Sequence, residues 1–406
     1  MAKYNYDKSV LKGLGVSAFL NEVKLREEHI AKGENTIPNS IYNPNVLARK
    51  LHPSYQLGVI TNVKDEPGAK TYTIKPDTEK GFTELAYFKA GQYISFALEF
   101  DNAYMCKPYS ISSSPNKAKG DDNNEYTFTI KENKDGYASK YILENWKVGT
   151  SVTMSGPLGQ FTYERLRDSK NVVALAGGSG ITPFVSMANA IADGINDYNL
   201  TILYGCKDSK NIILKDELEE ASKKSNGKVK VVYVFSEEKV EGHEYGFIDE
   251  KIIRKYAPDD YSIFVCGPKA MYKFVKNEIA KLNLPRRKVR FELAGEYGDP
   301  TSDEAYPKDK ADKEYNVKVL IRGETQIVKC QSAETLLHAM ETAGIHVPSD
   351  CRSGQCGWCH SRLISGEVYI PESHDGRRAA DKKFNWIHPC VTYPLSDIEI
   401  EVFPIH

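Results

Sequence analysis

The chain has 406 residues, 41% of them apolar and 27% charged, with a formal net charge of −1. That length exceeds one ordinary core and predicts roughly two to four domains; the near-neutral charge offers no footprint for nucleic acid or an anionic membrane. No apolar run reaches a membrane span, residues 1–7 lack the apolar stretch of a signal peptide, and four of the eight cysteines are scattered, so a cytoplasmic chain with reduced thiols is expected.

Residues 1–54 read as an N-terminal helical arm. Val16, Phe19, Leu20, Val23 and Ile30 fall near helical period with charges between them, which predicts an amphipathic helix over 16–31. Pro38, Pro44 and Pro53 are expected to break regular structure after it. The arm is read as packed on the body, or alternatively as a contact for a second copy or partner.

From 55 to 165 the pattern changes to short alternating segments (58–63, 70–74, 93–98, 126–130 and 151–154), punctuated by Gly and Pro. Strands at this spacing predict a small antiparallel β-barrel. Within it, Lys107-Pro108-Tyr109-Ser110 combines a cation, an aromatic ring and a hydroxyl. Further on, Gly136-Tyr137-Ala138-Ser139 opens a helical stretch, where free backbone N–H groups can meet a phosphate. Glycine turns and Tyr-Ser pairs are common singly; together they predict a flavin site.

From 166 to 295 strands and helices alternate, which predicts an α/β nucleotide-binding domain. The buried-strand run 171–176 leads straight into Gly177-Gly178-Ser179-Gly180-Ile181-Thr182-Pro183, a loop that lets phosphates approach the backbone. Another strand, 262–266, ends in Cys266-Gly267-Pro268 at the sheet edge where ligands sit in open α/β folds. Taken alone, Cys266 also reads as a small buried residue.

Residues 296–312 are polar and Pro-containing and read as an interdomain linker. In 313–406 two strands joined at Arg322-Gly323 precede a helix that Ser332 is expected to cap and Gly344 to end. Next comes Cys351-Arg-Ser-Gly-Gln-Cys356-Gly-Trp-Cys359, with Cys390 beyond it. This C-x4-C-x2-C…C spacing is the plant-type ligand pattern of a [2Fe–2S] cluster. Zinc usually takes two CxxC knuckles and only one is present; disulfides need an oxidising compartment.

These motifs resemble the flavin-dependent reductases of the ferredoxin–NADP reductase superfamily that carry a plant-type ferredoxin domain, in the domain order of the phthalate dioxygenase reductase family. The likeness covers about 55–406. It implies a multidomain fold: an antiparallel β-barrel flavin domain, an α/β nucleotide domain and an α+β (β-grasp) ferredoxin domain. Lys107-Pro108-Tyr109-Ser110 stands where the family has Arg-x-Tyr-Ser, so Tyr109 and Ser110 would lie against the isoalloxazine ring, with Ser110 near N5. Lysine keeps the charge of the arginine without its fork. Gly136 to Ser139 is similar to the second flavin-phosphate segment, the loop Gly177 to Pro183 to the nicotinamide-nucleotide pyrophosphate loop, and Cys266 to Pro268 to the motif bordering the nicotinamide. Trp358 stands where a small or hydroxylated residue is usual, at the exposed cluster edge.

The resemblance implies FAD (alternatively FMN), a [2Fe–2S] cluster held by Cys351, Cys356, Cys359 and Cys390, and a nicotinamide dinucleotide. Hydride would pass to the flavin, with Ser110 and Cys266 at the reacting centre, and single electrons would leave through the cluster to a separate protein. Ser236, Glu237 and Glu238 follow the strand 229–235 where the superfamily binds the adenosine ribose. A 2′-phosphate would meet like charge there, whereas a ribose diol can donate to a carboxylate, so NADH is expected over NADPH. Lys207 and Lys239 lie near enough in sequence to offset that charge. Two other readings stand beside the electron-transfer reductase: a self-contained flavin oxidoreductase and a cluster-binding scaffold, the latter disfavoured by the pyrophosphate loop. The sequence does not fix the oligomeric state.

Overall fold

A computed structural model of the protein describes residues 16–32, 43–100, 103–120, 123–133, 136–292 and 295–403. The chain divides into two compact units, 1–49 and 50–406. In the first, helix α1 (Val16–Lys32) carries Val23 and Ile30 exposed to solvent. Helix α2 (Asn43–Leu51) has Pro44 in its first turn, so a proline expected to break structure instead starts a helix. An N–H there has no intrahelical partner to lose.

The larger unit is organised on three main sheets. The first is antiparallel and comprises β1 (Gln56–Glu66), β2 (Ala69–Pro76), β3 (Tyr93–Phe100), β4 (Ala103–Ser110), β5 (Tyr126–Lys131) and β6 (Ser151–Met154), in the order β4-β3-β6-β1-β2-β5. Helix α3 (Tyr137–Asn145) lies between β5 and β6 in the chain. Alternation sends Ile60, Tyr72, Ile94, Phe96 and Phe128 inward. There Phe96 meets Phe128 edge-on at 4.8 Å and Trp146 at 5.0 Å. Strand β4 was not expected, because Pro108 counts against a central strand. It lies at the sheet edge and, among the described residues, pairs with β3 alone, where a missing donor is tolerated.

The second sheet is parallel: β7 (Asn171–Gly177), α4 (Thr182–Ala192), β8 (Asn199–Cys206), α5 (Lys215–Lys224), β9 (Val229–Phe235), β10 (Glu244–Tyr245), α6 (Glu250–Tyr256), β11 (Ser262–Cys266), α7 (Lys269–Ala280) and β12 (Val289–Phe291), in strand order β10-β9-β8-β7-β11-β12. Residues Val172–Ala176 are buried on both faces, as a central parallel strand requires. The chain steps from β7 outward to β8 and later returns to β11 on the other side of β7. That reversal opens a crevice at the carboxyl ends of β7 and β11, where Gly177 and Cys266 stand.

The third sheet takes β13 (Glu314–Ile321), β14 (Glu324–Gln331), helix α8 (Leu336–Thr342), β15 (Ser361–Ser365), β16 (Trp386–Ile387) and β17 (Ile398–Val402), in strand order β14-β13-β17-β15-β16. The hairpin turns at Arg322 (φ 52°) and Gly323 (φ 81°), two left-handed residues that match a two-residue turn. Strands β13 and β17 run parallel while the other pairs are antiparallel, which makes this the ferredoxin-type α+β domain. Thr335, not Ser332, caps α8, its hydroxyl accepting from the His338 amide at 3.2 Å. Ser332 is taken up earlier, accepting from the Lys313 amide, while a turn from Gln331 to Glu334 delays the helix. Residues 296–312 fold into short turns and bury Tyr306, whose hydroxyl donates to the Ser332 carbonyl at 3.2 Å.

Among the described residues no helix is long and apolar enough to cross a membrane.

Candidate functional site

A cleft of about 250 Å³ opens where the three sheets meet. Pro108, Tyr109 and Ser110 line it from β4, Thr129 and Lys131 from β5, and Ser179, Gly180 and Thr182 from the loop after β7. Cys266, Gly267 and Pro268 close it from the end of β11, joined by Tyr272, Glu292 and Cys351. The structure therefore brings Ser110, the glycine loop, the Cys266 motif and the first cysteine of the C-terminal loop into one cavity. Gly180 makes this possible. A Cβ there would lie 2.2 Å from the Cys266 carbonyl oxygen, so only glycine lets the two loops meet.

Burial, then Glu292 wherever its carboxyl is ionised, pushes the Cys266 thiol upward, so it stands as a neutral thiol at physiological pH. Glu292 was not singled out from the sequence. It is buried, and desolvation followed by Cys351 pushes its carboxyl up to about 8, which keeps it protonated at neutral pH. The stretch 289–293 alternates apolar and charged residues, with Arg290 and Glu292 at the polar positions, so the sequence pattern gave no signal that Glu292 is buried. Tyr272 is a second such residue: it accepts from the Gly267 amide at 3.3 Å and donates to the Glu292 carbonyl, tying the end of β11 to β12.

Lys107 does not line the cleft. Its ammonium donates to Glu296 at 3.1 Å, and burial, then the Arg352 charge, lowers its pKa. Gly136 to Ser139 also stand outside the cleft lining. Gly136 precedes α3, Tyr137 is exposed, and Ala138 and Ser139 are buried, with the Ser139 hydroxyl donating to the Gly136 carbonyl at 3.2 Å. Gly177, Gly178 and Pro183 shape the loop and the first turn of α4.

Ser236 and Glu237 follow β9, their amides donating to the carbonyls of Cys206 (3.0 Å) and Lys207 (2.9 Å). This stitches together the loops after β8 and β9. Glu238 accepts from the Ser209 amide at 2.7 Å, leaving Glu237 exposed with Lys207 3.6 Å away.

Cys351, Cys359 and Cys390 are buried and Cys356 is exposed; all eight cysteines are free. The Cys359 and Cys390 sulfurs lie 3.4 Å apart. Amides of Ser353 and Cys356 point at the Cys351 sulfur, and that of Trp358 at the Cys356 sulfur, each at 3.4 Å. The Ser353 hydroxyl is buried and has no partner among the described residues. Gly354 turns the loop at φ 77°, where a Cβ would strike the His374 carbonyl at 2.2 Å, and His388 Nδ1 donates to the Gly354 carbonyl at 2.8 Å. Four thiols, converging amides and an orphaned hydroxyl fit an anionic iron–sulfur cluster. The Tyr109 ring, the Ser110 and Thr129 hydroxyls and the Lys131 ammonium likewise fit a flat ring with polar edges.

Family models match an oxidoreductase FAD-binding domain over residues 69–163, an oxidoreductase NAD-binding domain over 174–277 and a 2Fe-2S iron-sulfur cluster binding domain over 319–395. The chain is 27% identical over 333 residues to the glycine betaine monooxygenase reductase subunit of Chromohalobacter salexigens, covering 78% of this chain and 88% of that protein. It is 28% identical over 317 residues to the ferredoxin reductase component of 3-ketosteroid-9-alpha-monooxygenase from Rhodococcus rhodochrous, covering 76% and 86%. In fold it is similar to phthalate dioxygenase reductase, with a TM-score of 0.59, 22% identity, and coverage of 86% of this chain and 98% of that one. The chain thus carries an oxidoreductase FAD-binding domain, an oxidoreductase NAD-binding domain and a 2Fe-2S cluster binding domain in that order, and in this composition it resembles the flavoprotein reductases of the ferredoxin–NADP reductase superfamily that carry a plant-type ferredoxin domain.

Proposed function

We propose that this protein is the reductase component of a multi-component redox system, taking reducing equivalents from NADH and delivering single electrons to a separate oxygenase or demethylase. The observation that carries this reading is the shared cleft: Cys351, a cluster ligand, lines the same cavity as Tyr109, Ser110 and Cys266. Reducing equivalents entering beside Cys266 therefore have a sulfur ligand of the outgoing centre in the same cavity. When bound, FAD accepts hydride and releases electrons singly, and the cluster relays them.

The chain's own residues supply placement. Tyr109 and Ser110 present a ring and a hydroxyl to the flavin, Ser179 to Thr182 receive the dinucleotide, and Cys266 and Glu292 offer neutral donors in a dry wall. Lys131, whose ammonium lies 3.8 Å from where a Cβ on Gly178 would sit, supplies a cation at this crossing. Free thiols throughout support the cytoplasm as its compartment. The purified holoprotein with NADH should reduce ferricyanide and cytochrome c rapidly with no organic substrate. Slow reduction of both, relieved only by a small organic acceptor, would favour the self-contained oxidoreductase instead.

NADH should be preferred over NADPH, and Lys207 should limit that preference. Glu237 is exposed where the ribose is expected, but Lys207 at 3.6 Å offsets part of its charge. Repulsion of a 2′-phosphate by roughly 1.4–3 kcal/mol amounts to a tenfold to hundredfold preference in kcat/KM. Lys207→Gln should widen the ratio and Glu237→Gln should narrow it. Steady-state kinetics with both nucleotides checks this, and equal kcat/KM values in the unmodified protein would sink it.

A further inference from the structure

A chain of four charges crosses the boundary between the flavin-side sheet and the cluster domain. Lys107 on β4 donates to Glu296 Oε1 at 3.1 Å, and Arg352 Nε donates to that same oxygen at 2.6 Å. Arg352 stands in the cluster loop immediately after Cys351, its side chain fully buried. Its Nη1 and Nη2 donate to Glu341 on α8 at 2.6 and 2.8 Å, and Nη1 also reaches the Cys106 carbonyl on β4 at 3.4 Å. Arg352 is thus already matched inside its own domain by a bidentate carboxylate. Lys107, from the other domain, would face Arg352 as a second cation if Glu296 were absent. One carboxylate oxygen turns a repulsive contact into an attractive one.

We propose that Glu296 is a positioning residue for flavin-to-cluster electron transfer, clamping the cluster loop onto the edge strand that carries Tyr109 and Ser110 through its shared contact with Lys107 and Arg352. The inference rests on the reading of the cleft as an electron path. It also gives Lys107 a part that its motif did not suggest: one end of an interdomain clamp. Other contacts cross the same boundary, including the Ser95 hydroxyl to the Asp350 carbonyl at 3.3 Å and the Tyr104 ring stacked on His346 at 4.8 Å. Neither places a carboxylate between Lys107 and Arg352, so neither offsets their repulsion. Electrons cross the contact with no bond made or broken, so the closeness of the two sides sets the rate.

The sign of the coupling makes the test. In the full-length holoprotein, Glu296→Gln should raise amide hydrogen exchange at least tenfold in both 103–110 and 350–353, with α4 unchanged. Adding Lys107→Gln to it should return exchange toward the unmodified level, because the unpaired second cation is gone. Ser95→Ala should change little. NADH–ferricyanide activity should survive in Glu296→Gln while cytochrome c reduction falls at least tenfold. A Glu296→Gln chain that fails to fold while the double variant folds also supports the clamp. Unchanged exchange in Glu296→Gln, or a double variant exchanging as fast as the single one, overturns it. Exchange that rises and is rescued while cytochrome c reduction stays unaltered leaves the clamp standing and overturns the electron-path reading.

Discussion

Replacing Cys390 by serine should strip most of the iron from the protein while flavin remains bound. Cytochrome c reduction should fall at least ~100-fold, since losing a direct ligand exceeds the 10–100-fold loss typical of an outer-shell partner. Ferricyanide reduction, served from the flavin side, should be nearly unchanged. The size of the effect follows from placement. Cys390 is buried with its sulfur 3.4 Å from that of Cys359, in a pocket closed by α8 and the strands of the third sheet. A serine hydroxyl there is shorter and stays protonated, and solvent cannot fill the fourth position. Iron analysis, the visible spectrum and both acceptor assays check it, and full iron content in the variant would remove Cys390 from the ligand set.

Gly180→Ala should cost the protein its nicotinamide site. The added methyl would lie 2.2 Å from the Cys266 oxygen, 2.5 Å from its carbonyl carbon and 2.6 Å from the Gly267 nitrogen, all backbone atoms that cannot rotate aside. The two loops must separate, and overpacking of this kind typically costs ~1–3 kcal/mol. In a body of this size that is a fall in Tm of several degrees, at roughly 2–4 °C per kcal/mol. Because the shift occurs between the pyrophosphate loop and the Cys266 motif, kcat/KM for NADH should fall at least ~10-fold, with bound flavin and iron unchanged. Differential scanning and NADH titration check it. An unaltered KM would mean that the loops part without disturbing the nucleotide.

Features of the molecule that depend on neighbours in sequence were legible, and those that depend on neighbours in space were not. Val172–Ala176 reads as a buried strand because every residue is apolar. The cysteine loop reads as a cluster site because three of the four expected ligands lie within nine residues, 351–359. Strand β4 was hidden by Pro108, tolerated only because the strand turned out to be an edge. Helix α2 was hidden by Pro44 for the related reason that a first turn needs no donor there. Ser332 looked like a cap, but the turn from Gln331 to Glu334 moved the start of the helix to Thr335. Glu292, Glu296 and Arg352 were passed over because charged residues in loops usually meet water. Their importance lies in burial against residues as distant in sequence as Lys107. Lys107 itself was read through its motif as the cation of the flavin site, and its contact with Glu296 could not be read from the motif.

The parallel pairing of β13 with β17 imposes an order on how the protein is made. Strand β17 sits in the middle of its sheet, between β13 and β15, yet it is synthesised after all four cysteines. On the ribosome the flavin-side and nucleotide-side bodies can fold while the cluster domain still lacks its central strand. Until Ile398–Val402 emerge and dock, Val317, Val319 and Ile400 have no common interior and the wall behind Cys390 is missing. Metal loading must therefore follow synthesis of this segment, and a transcript cut short before it would yield a diaphorase without an outlet.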